Sequence, residues 1–120
     1  SDQRRYFVAC PHCDHRQWLR FERLRWEKGQ PHTAHYSCEA CEGRIEEHHK
    51  TALMMSGEWR PTRDNAHSGT VGYHLSGLYS PVGWLSWADI ARMWEAAQTS
   101  DEAKRSFKNG VLGETWIETG

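Results

Sequence analysis

The residues best suited to chemistry are four cysteines in two C-x-x-C pairs, CPHC at Cys10–Cys13 and CEAC at Cys38–Cys41, with 24 residues between the pairs. They are all the cysteines in the chain. A disulfide inside such a pair would close only a tiny loop, whereas bridges between the pairs are not excluded by counting. A redox dithiol would need one pair on a βαβ pattern, and no such pattern is readable. Four thiolates presented by two tight turns suit a tetrahedral d¹⁰ ion, so structural zinc held by Cys10, Cys13, Cys38 and Cys41 is the expectation. A set of four thiolates leaves no open position for water, which makes the site a fastening rather than a reaction centre. His12, His15 and His35 flank the pairs and are expected to face solvent. Gly43 is expected to supply the backbone freedom of the second turn. Residues 6–45 promise little other burial, so this lobe is expected to unfold when the metal is stripped.

The elements that position these cysteines are short. Tyr6-Phe7-Val8 is a β-prone run entering the first pair, and Arg16 to Phe21 leaves it with Leu19 and Phe21 on one face. Lys28 to His32 is a turn cluster, Ala34 to Ser37 enters the second pair, and Arg44-Ile45 leaves it. Strand, knuckle and strand, repeated, is the pattern of a zinc ribbon. Glu46 to Ser56 reads as a helix with Ile45, His49, Ala52 and Leu53 inward and Gly57 as its stop. Residues 60–72 form a polar loop. Beyond it Tyr73 to Tyr79 alternates as a strand with Tyr73, Leu75 and Tyr79 on one face. Ser86-x-x-Asp89 starts a helix whose apolar stripe is Trp87, Ile90, Ala91, Trp94 and Ala97. Asp101 to Asn109 is a second helix, capped by Ser100 or Asp101, with Ala103 and Phe107 inward. The fold class is therefore α+β: a four-cysteine zinc ribbon of short antiparallel strands followed by a helix (1–59), a linker loop (60–72), then one strand and two short helices (73–120).

Composition narrows the function. The chain has 120 residues, a net charge of −1 and no apolar run long enough to cross a membrane. It opens on Ser1 and closes on WIETG, which reads as a segment of a longer protein. Residues 1–28 hold seven Arg/Lys against four acids. That imbalance nominates Arg4, Arg5, Arg16, Arg20, Arg23 and Arg25 as phosphate contacts without base specificity. Seven tryptophans point to a compact core or a contact with a partner domain. No G-x-x-x-x-G-K-[ST] loop is present, and no set of carboxylates converges as a two-metal nuclease requires. The rival reading is a self-contained zinc-containing DNA-binding module or His-dependent nuclease, with His48, His49 or His74 as base.

The stretch GYHLSGLYSPVGWLSWADIARMWEAAQ (72–98), followed by FKNGVLGETW (107–116), resembles the large terminase subunit of lambda-like tailed phages. In that family G-[FY]-H-x-S-x-L-Y-S-P leads to a W-x-x-[IL] helix and then to F-x-N-x-x-L-G-x-x-W. The first half is similar through F-V-x-C-P-H-C, the Trp/Phe anchors, Y-x-C, C-x-x-x-I and G-E-W at 57–59. Gly110 stands where the family has Thr, and Thr115 where it has Pro. The resemblance implies a zinc-binding linker region between the ATPase and an RNase H-like, metal-dependent endonuclease that cuts concatemeric viral DNA. ATP and Mg²⁺ would then serve only the full-length parent, and the segment alone would not be an enzyme. The implied partners are double-stranded viral DNA, the remaining terminase domains, the small subunit and the portal, in the host cell cytoplasm. If the ribbon serves docking alone, Trp18, Trp26 and Trp59 would pack on a neighbouring domain.

Overall fold

A computed structural model describes residues 3–62 and 73–113. Strand β1 (Arg4–Ala9) turns through the first cysteine pair into β2 (Arg16–Trp18), with Phe7 opposite Trp18 and Ala9 opposite Arg16. A 3₁₀ turn at Phe21–Arg23 leads to β3 (Leu24–Glu27), which pairs antiparallel with β4 (Gln30–Ser37). The second pair links β4 to β5 (Arg44–Ile45), again antiparallel. Each knuckle is thus the tip of a hairpin. Side chains alternate along these strands, so Val8 and Cys10 are buried from β1, and Tyr36 and Cys38 from β4.

Helix α1 (Lys50–Met55) follows a 3₁₀ turn at Glu47–His49, and β6 (Glu58–Pro61) returns antiparallel along β1. Two residues of the expected loop, Arg60 and Pro61, are therefore paired strand; residues 63–72 lie outside the described part. The inward face of α1 also differs from expectation. Ala52 is exposed, and the buried positions are Leu53 and Lys50. Gly57 is needed less as a stop than for space, because a Cβ there would overlap the Tyr6 ring.

The expected strand over 73–79 is mostly something else. Only β7 (Tyr73–His74) pairs, parallel to β1, and Gly77–Tyr79 is a 3₁₀ turn. Tyr73 and Leu75 are exposed, and only Tyr79 turns inward. The chain tightens here because the hydroxyl of Ser76 accepts the N–H of Leu78. Helix α2 (Trp87–Ala96) starts at a capping box: the Ser86 hydroxyl accepts the Asp89 N–H at 2.9 Å, and the Asp89 carboxylate accepts the Ser86 N–H at 3.1 Å. Its stripe packs as periodicity predicts, with Trp87, Ile90, Ala91 and Ala97 buried and Trp94 half-buried. Helix α3 (Asp101–Phe107), capped by Ser100, runs on into a π turn at Lys108–Leu112 that ends at Gly113 with φ +66°.

The two halves are not separate bodies. Leu19, Leu24, Tyr36, Ile45 and Leu53 share one core with Leu78, Tyr79, Trp87, Ile90 and Phe107. Trp87 stacks at 6.0 Å on Tyr36, and its indole N–H donates to the Leu78 carbonyl. Glu95 of α2 accepts the Trp26 indole N–H at 3.0 Å and the Gly29 N–H at 2.7 Å, which pins the β3–β4 turn and holds the Glu95 carboxyl below its usual range. Lys50 is fully buried; its ammonium reaches Glu47 at 3.1 Å and the Leu85 carbonyl at 3.3 Å. Glu47 in turn accepts the Trp87 N–H at the start of α2. Burial lowers the Lys50 pKa, and its carboxylate partner opposes that.

The expectation that residues 6–45 bury little besides cysteine is therefore corrected. Their apolar faces are covered by α2 and by the 77–79 turn. Tyr79 is the tightest such link: its hydroxyl donates to the Tyr6 carbonyl at 2.7 Å and accepts the Leu19 N–H at 2.8 Å. Tyr79→Phe removes both partners from buried backbone groups and should lower the unfolding free energy by about 1–3 kcal/mol. Urea denaturation checks this; unchanged stability would show that the bridge is dispensable.

Candidate metal centre

Each knuckle is built by the same backbone hydrogen bonds. Cys10 N–H donates to the His15 carbonyl and Asp14 N–H to the Cys10 carbonyl; Cys38 N–H donates to Gly43 and Glu42 N–H to Cys38, all at 2.9–3.1 Å. The residue after each second cysteine must adopt positive φ to close the turn: Asp14 at +65° and Glu42 at +59°. Gly43 is thus not the flexible member. Its small size matters for another reason, since a Cβ there would lie 2.9 Å from the His12 ring.

These turns bring the four sulfurs together. Cys10 Sγ lies 3.8 Å from Cys41 Sγ, Cys13 Sγ lies 3.7 Å from Cys38 Sγ, and all four are within 4.8 Å of one another. A disulfide needs about 2.05 Å, and all four cysteines are free. A tetrahedron with metal–sulfur bonds of about 2.3 Å has edges of about 3.8 Å. The cluster therefore has the dimensions of a four-thiolate metal site. Cys10 and Cys38 are buried, and Cys13 and Cys41 face outward.

Donors already aim at the sulfurs. The backbone N–H groups of His12, Ala40 and Gly43 approach Cys10, Cys38 and Cys41 at 3.3–3.4 Å. Gln17, a buried residue of β2 that sequence reasoning passed over, donates its amide to Cys38 Sγ at 3.3 Å and accepts the Glu39 N–H at 3.0 Å. The signal for it was available, because Gln17 shares the inward period-two face of β2 with Leu19. Burial pushes the Cys10 thiol up to about 12. Burial opposes ionisation of Cys38 too, but the N–H groups of Cys41 and Ala40 and the Gln17 amide outweigh it and bring that thiol down to about 6. Donors poised around sulfur are the surroundings that metal-bound thiolates require.

The histidines sit around the cluster, not in it. His12 Nε2 lies 2.6 Å from the Arg44 carbonyl, and His15 Nε2 lies 3.2 Å from Glu39, so each ties the first knuckle to the second. His49 Nδ1 accepts the Glu46 N–H, while His48 faces solvent beside Glu46. His35 lies on β4 with Nδ1 3.1 Å from the Thr33 carbonyl, and His74 contributes backbone to β7. Among the described residues, no carboxylate joins His48 or His49 in a metal-binding group.

The arginines are mostly engaged with the protein. Arg16 donates to the Ser56 carbonyl at 2.7 Å, Arg20 pairs with Glu39 at 3.2 Å, and Arg23 donates to the Ser37 and Cys38 carbonyls. Arg25 donates to the Glu22 carbonyl, Arg5 lies 3.9 Å over the Trp18 ring, and Arg4 begins β1. Trp18 and Trp26 are half-buried, with Arg5 over one face of Trp18 and the Trp26 indole N–H bonded to Glu95.

Fold and site define a small α+β protein built on a two-knuckle, four-cysteine ribbon. Residues 1–59 match the family described as the phage terminase large subunit gpA, ATPase domain, and residues 70–120 match the terminase large subunit gpA, endonuclease domain. The large terminase subunit of Escherichia phage lambda is 32% identical over 93% of this chain and 20% of its own length. That of Enterobacteria phage P21 is 29% identical over 95% of this chain and 21% of its own. The chain belongs to the gpA-type large terminase subunit family, and it spans about a fifth of the length of these curated relatives. No solved structure matches it significantly.

An L-residue held at positive φ costs about 1–2 kcal/mol, which glycine avoids, although glycine loses part of that gain through a more flexible unfolded chain. The exposed Glu42 should therefore tolerate Glu42→Gly with a gain of up to about 1 kcal/mol, and Glu42→Val should be destabilising. Thermal melts of the two variants would refute this if they came out in the opposite order.

Proposed function

We propose that this chain is a zinc-fastened joint of a large terminase subunit, the ATP-driven packaging motor and endonuclease that cuts concatemeric viral DNA. The observation that carries the reading is the four-sulfur cluster with tetrahedral spacing, inside an ATPase-matching stretch that shares one core with the nuclease-matching one. Cys10, Cys13, Cys38 and Cys41 are the ligands. Zinc held by four thiolates supplies rigidity and no open coordination position. Gln17 and the N–H groups of both knuckles orient the sulfurs, and His12 and His15 lock one knuckle to the other.

On this reading the ribbon and its helix (1–59), the connection over 60–72 and the nuclease-side region (73–120) act as one structural piece. ATP and Mg²⁺ belong to catalytic centres elsewhere in the longer polypeptide. The partners are the remaining terminase domains, the small subunit, the portal and double-stranded viral DNA, in the host cytoplasm. The reading assigns DNA to the parent protein and does not need the six arginines to touch it.

Three measurements test it. Metal analysis of the purified chain should return one zinc per molecule, and a chelator should lower its thermal midpoint; a metal-free protein with an unchanged melt sinks the proposal. Replacing the bridging amide by Gln17→Leu should weaken zinc roughly 10–100-fold in competition with a chromophoric chelator. Incubation with plasmid DNA and Mg²⁺ or Mn²⁺ should give no cleavage. Cleavage abolished by His48→Ala, His49→Ala or His74→Ala would establish the nuclease reading instead.

A further inference from the structure

One face of the molecule carries large apolar side chains that nothing described covers. Met55 is 83% exposed at the end of α1 and Leu75 is 56% exposed after β7, with Tyr73, Val82 and Trp59 exposed nearby. These are not scattered residues. Met54, Met55, Trp59, Leu75, Pro81 and Val82 line a cleft of about 420 Å³. Trp59 stands as its aromatic wall, edge-on to Tyr6 at 5.3 Å and to Tyr73 at 5.1 Å.

The cleft offers few polar groups. Tyr6 and Tyr79 also line it, but their hydroxyls already donate to the carbonyls of Met54 and Tyr6. The Lys50 ammonium is withdrawn to Glu47 and the Leu85 carbonyl. A phosphate or a polar substrate would find little to bind here, whereas an apolar protein surface would lose water at little polar cost.

The cleft's position says which protein surface. It is lined from both stretches, Met54, Met55 and Trp59 from the ATPase-matching one and Leu75, Pro81 and Val82 from the nuclease-matching one. Strand β1 enters the sheet beside it, with Arg4 paired to both Pro61 and Tyr73. Residues 1–59 match an ATPase domain yet contain no phosphate-binding loop, so in the longer relatives the nucleotide-binding body precedes β1. Strand β1, through which the chain joins that body in those relatives, borders the cleft.

We infer that this cleft seats apolar side chains from the ATPase body of the same large subunit. The inference rests on reading the chain as part of such a subunit, but not on its metal. The docking surface is therefore Trp59 with Met55, Leu75 and Val82.

Hydroxyl-radical footprinting tests it on the 120-residue protein and on the full-length subunit that contains it. Oxidation of Met55 and Leu75 should fall several-fold in the full-length subunit, while that of Met93, exposed on α2 outside the cleft, should not change. Met55→Glu with Val82→Glu should restore Leu75 oxidation in the full-length subunit and leave the zinc content and melt of the 120-residue protein unaltered. Equal oxidation of Met55 and Leu75 in the two proteins overturns the inference. So does protection already present in the 120-residue protein that disappears on dilution, since the occupant would then be a second copy. Zinc content, read in the same samples, separates failure of the metal centre from failure of the docking surface.

Discussion

The structure depends on a shortage of apolar cover. Two sheets with strands of two to eight residues each present a buried face, and neither is large enough to cover the other. The deficit is met from the far half of the chain, where Trp87, Ile90 and Tyr79 supply the missing surface. An indole and a phenol each bring a large apolar area and one hydrogen-bonding group. Here both groups are used: Trp87 binds the Leu78 carbonyl, and Tyr79 satisfies the Tyr6 carbonyl of β1 and the N–H of Leu19, which follows β2. The stretch that matches an ATPase domain and the stretch that matches an endonuclease domain are consequently folded into one core.

Within that frame the cysteine cluster is a local device with global reach. It lies at the tips of two hairpins; α2 packs on β3 and β4, and Tyr79 of the 77–79 turn bonds to Tyr6 and Leu19. Its surroundings also change the meaning of nearby residues. His12 and His15 are spaced like ligands, but the turn points them across to Arg44 and Glu39. Arg16, Arg20 and Arg23 form a basic cluster in sequence, yet their guanidinium groups are directed at carbonyls and at Glu39.

Much of this was legible from local pattern. The cysteine spacing implied a shared site, and the capping box and apolar stripe placed α2 with its inward face. Both features depend on neighbours a few residues away, which is why they can be read. The misses have a common origin. Tyr73 to Tyr79 alternates like a strand, but Ser76 caps a 3₁₀ turn that carries Leu78 and Tyr79 inward together. Lys50 on an otherwise apolar face of α1 is intelligible only once Glu47 and the Leu85 carbonyl are beside it.

What the sequence determined by itself was the kind of parts: four thiols on two tight turns, short strands around them, two capped helices, and the motifs of a large terminase subunit. Turns, caps and ligand spacing are set by interactions within a few residues. Only the tertiary structure decided how the parts are joined. It placed Gln17 behind Cys38, gave the positive φ to Glu42 instead of Gly43, and drew the two halves into one core. It also placed Trp59 at the apolar cleft. Those outcomes depend on which surfaces compete to exclude water, and that competition involves residues far apart in the chain, such as Tyr6 and Tyr79, 73 positions apart.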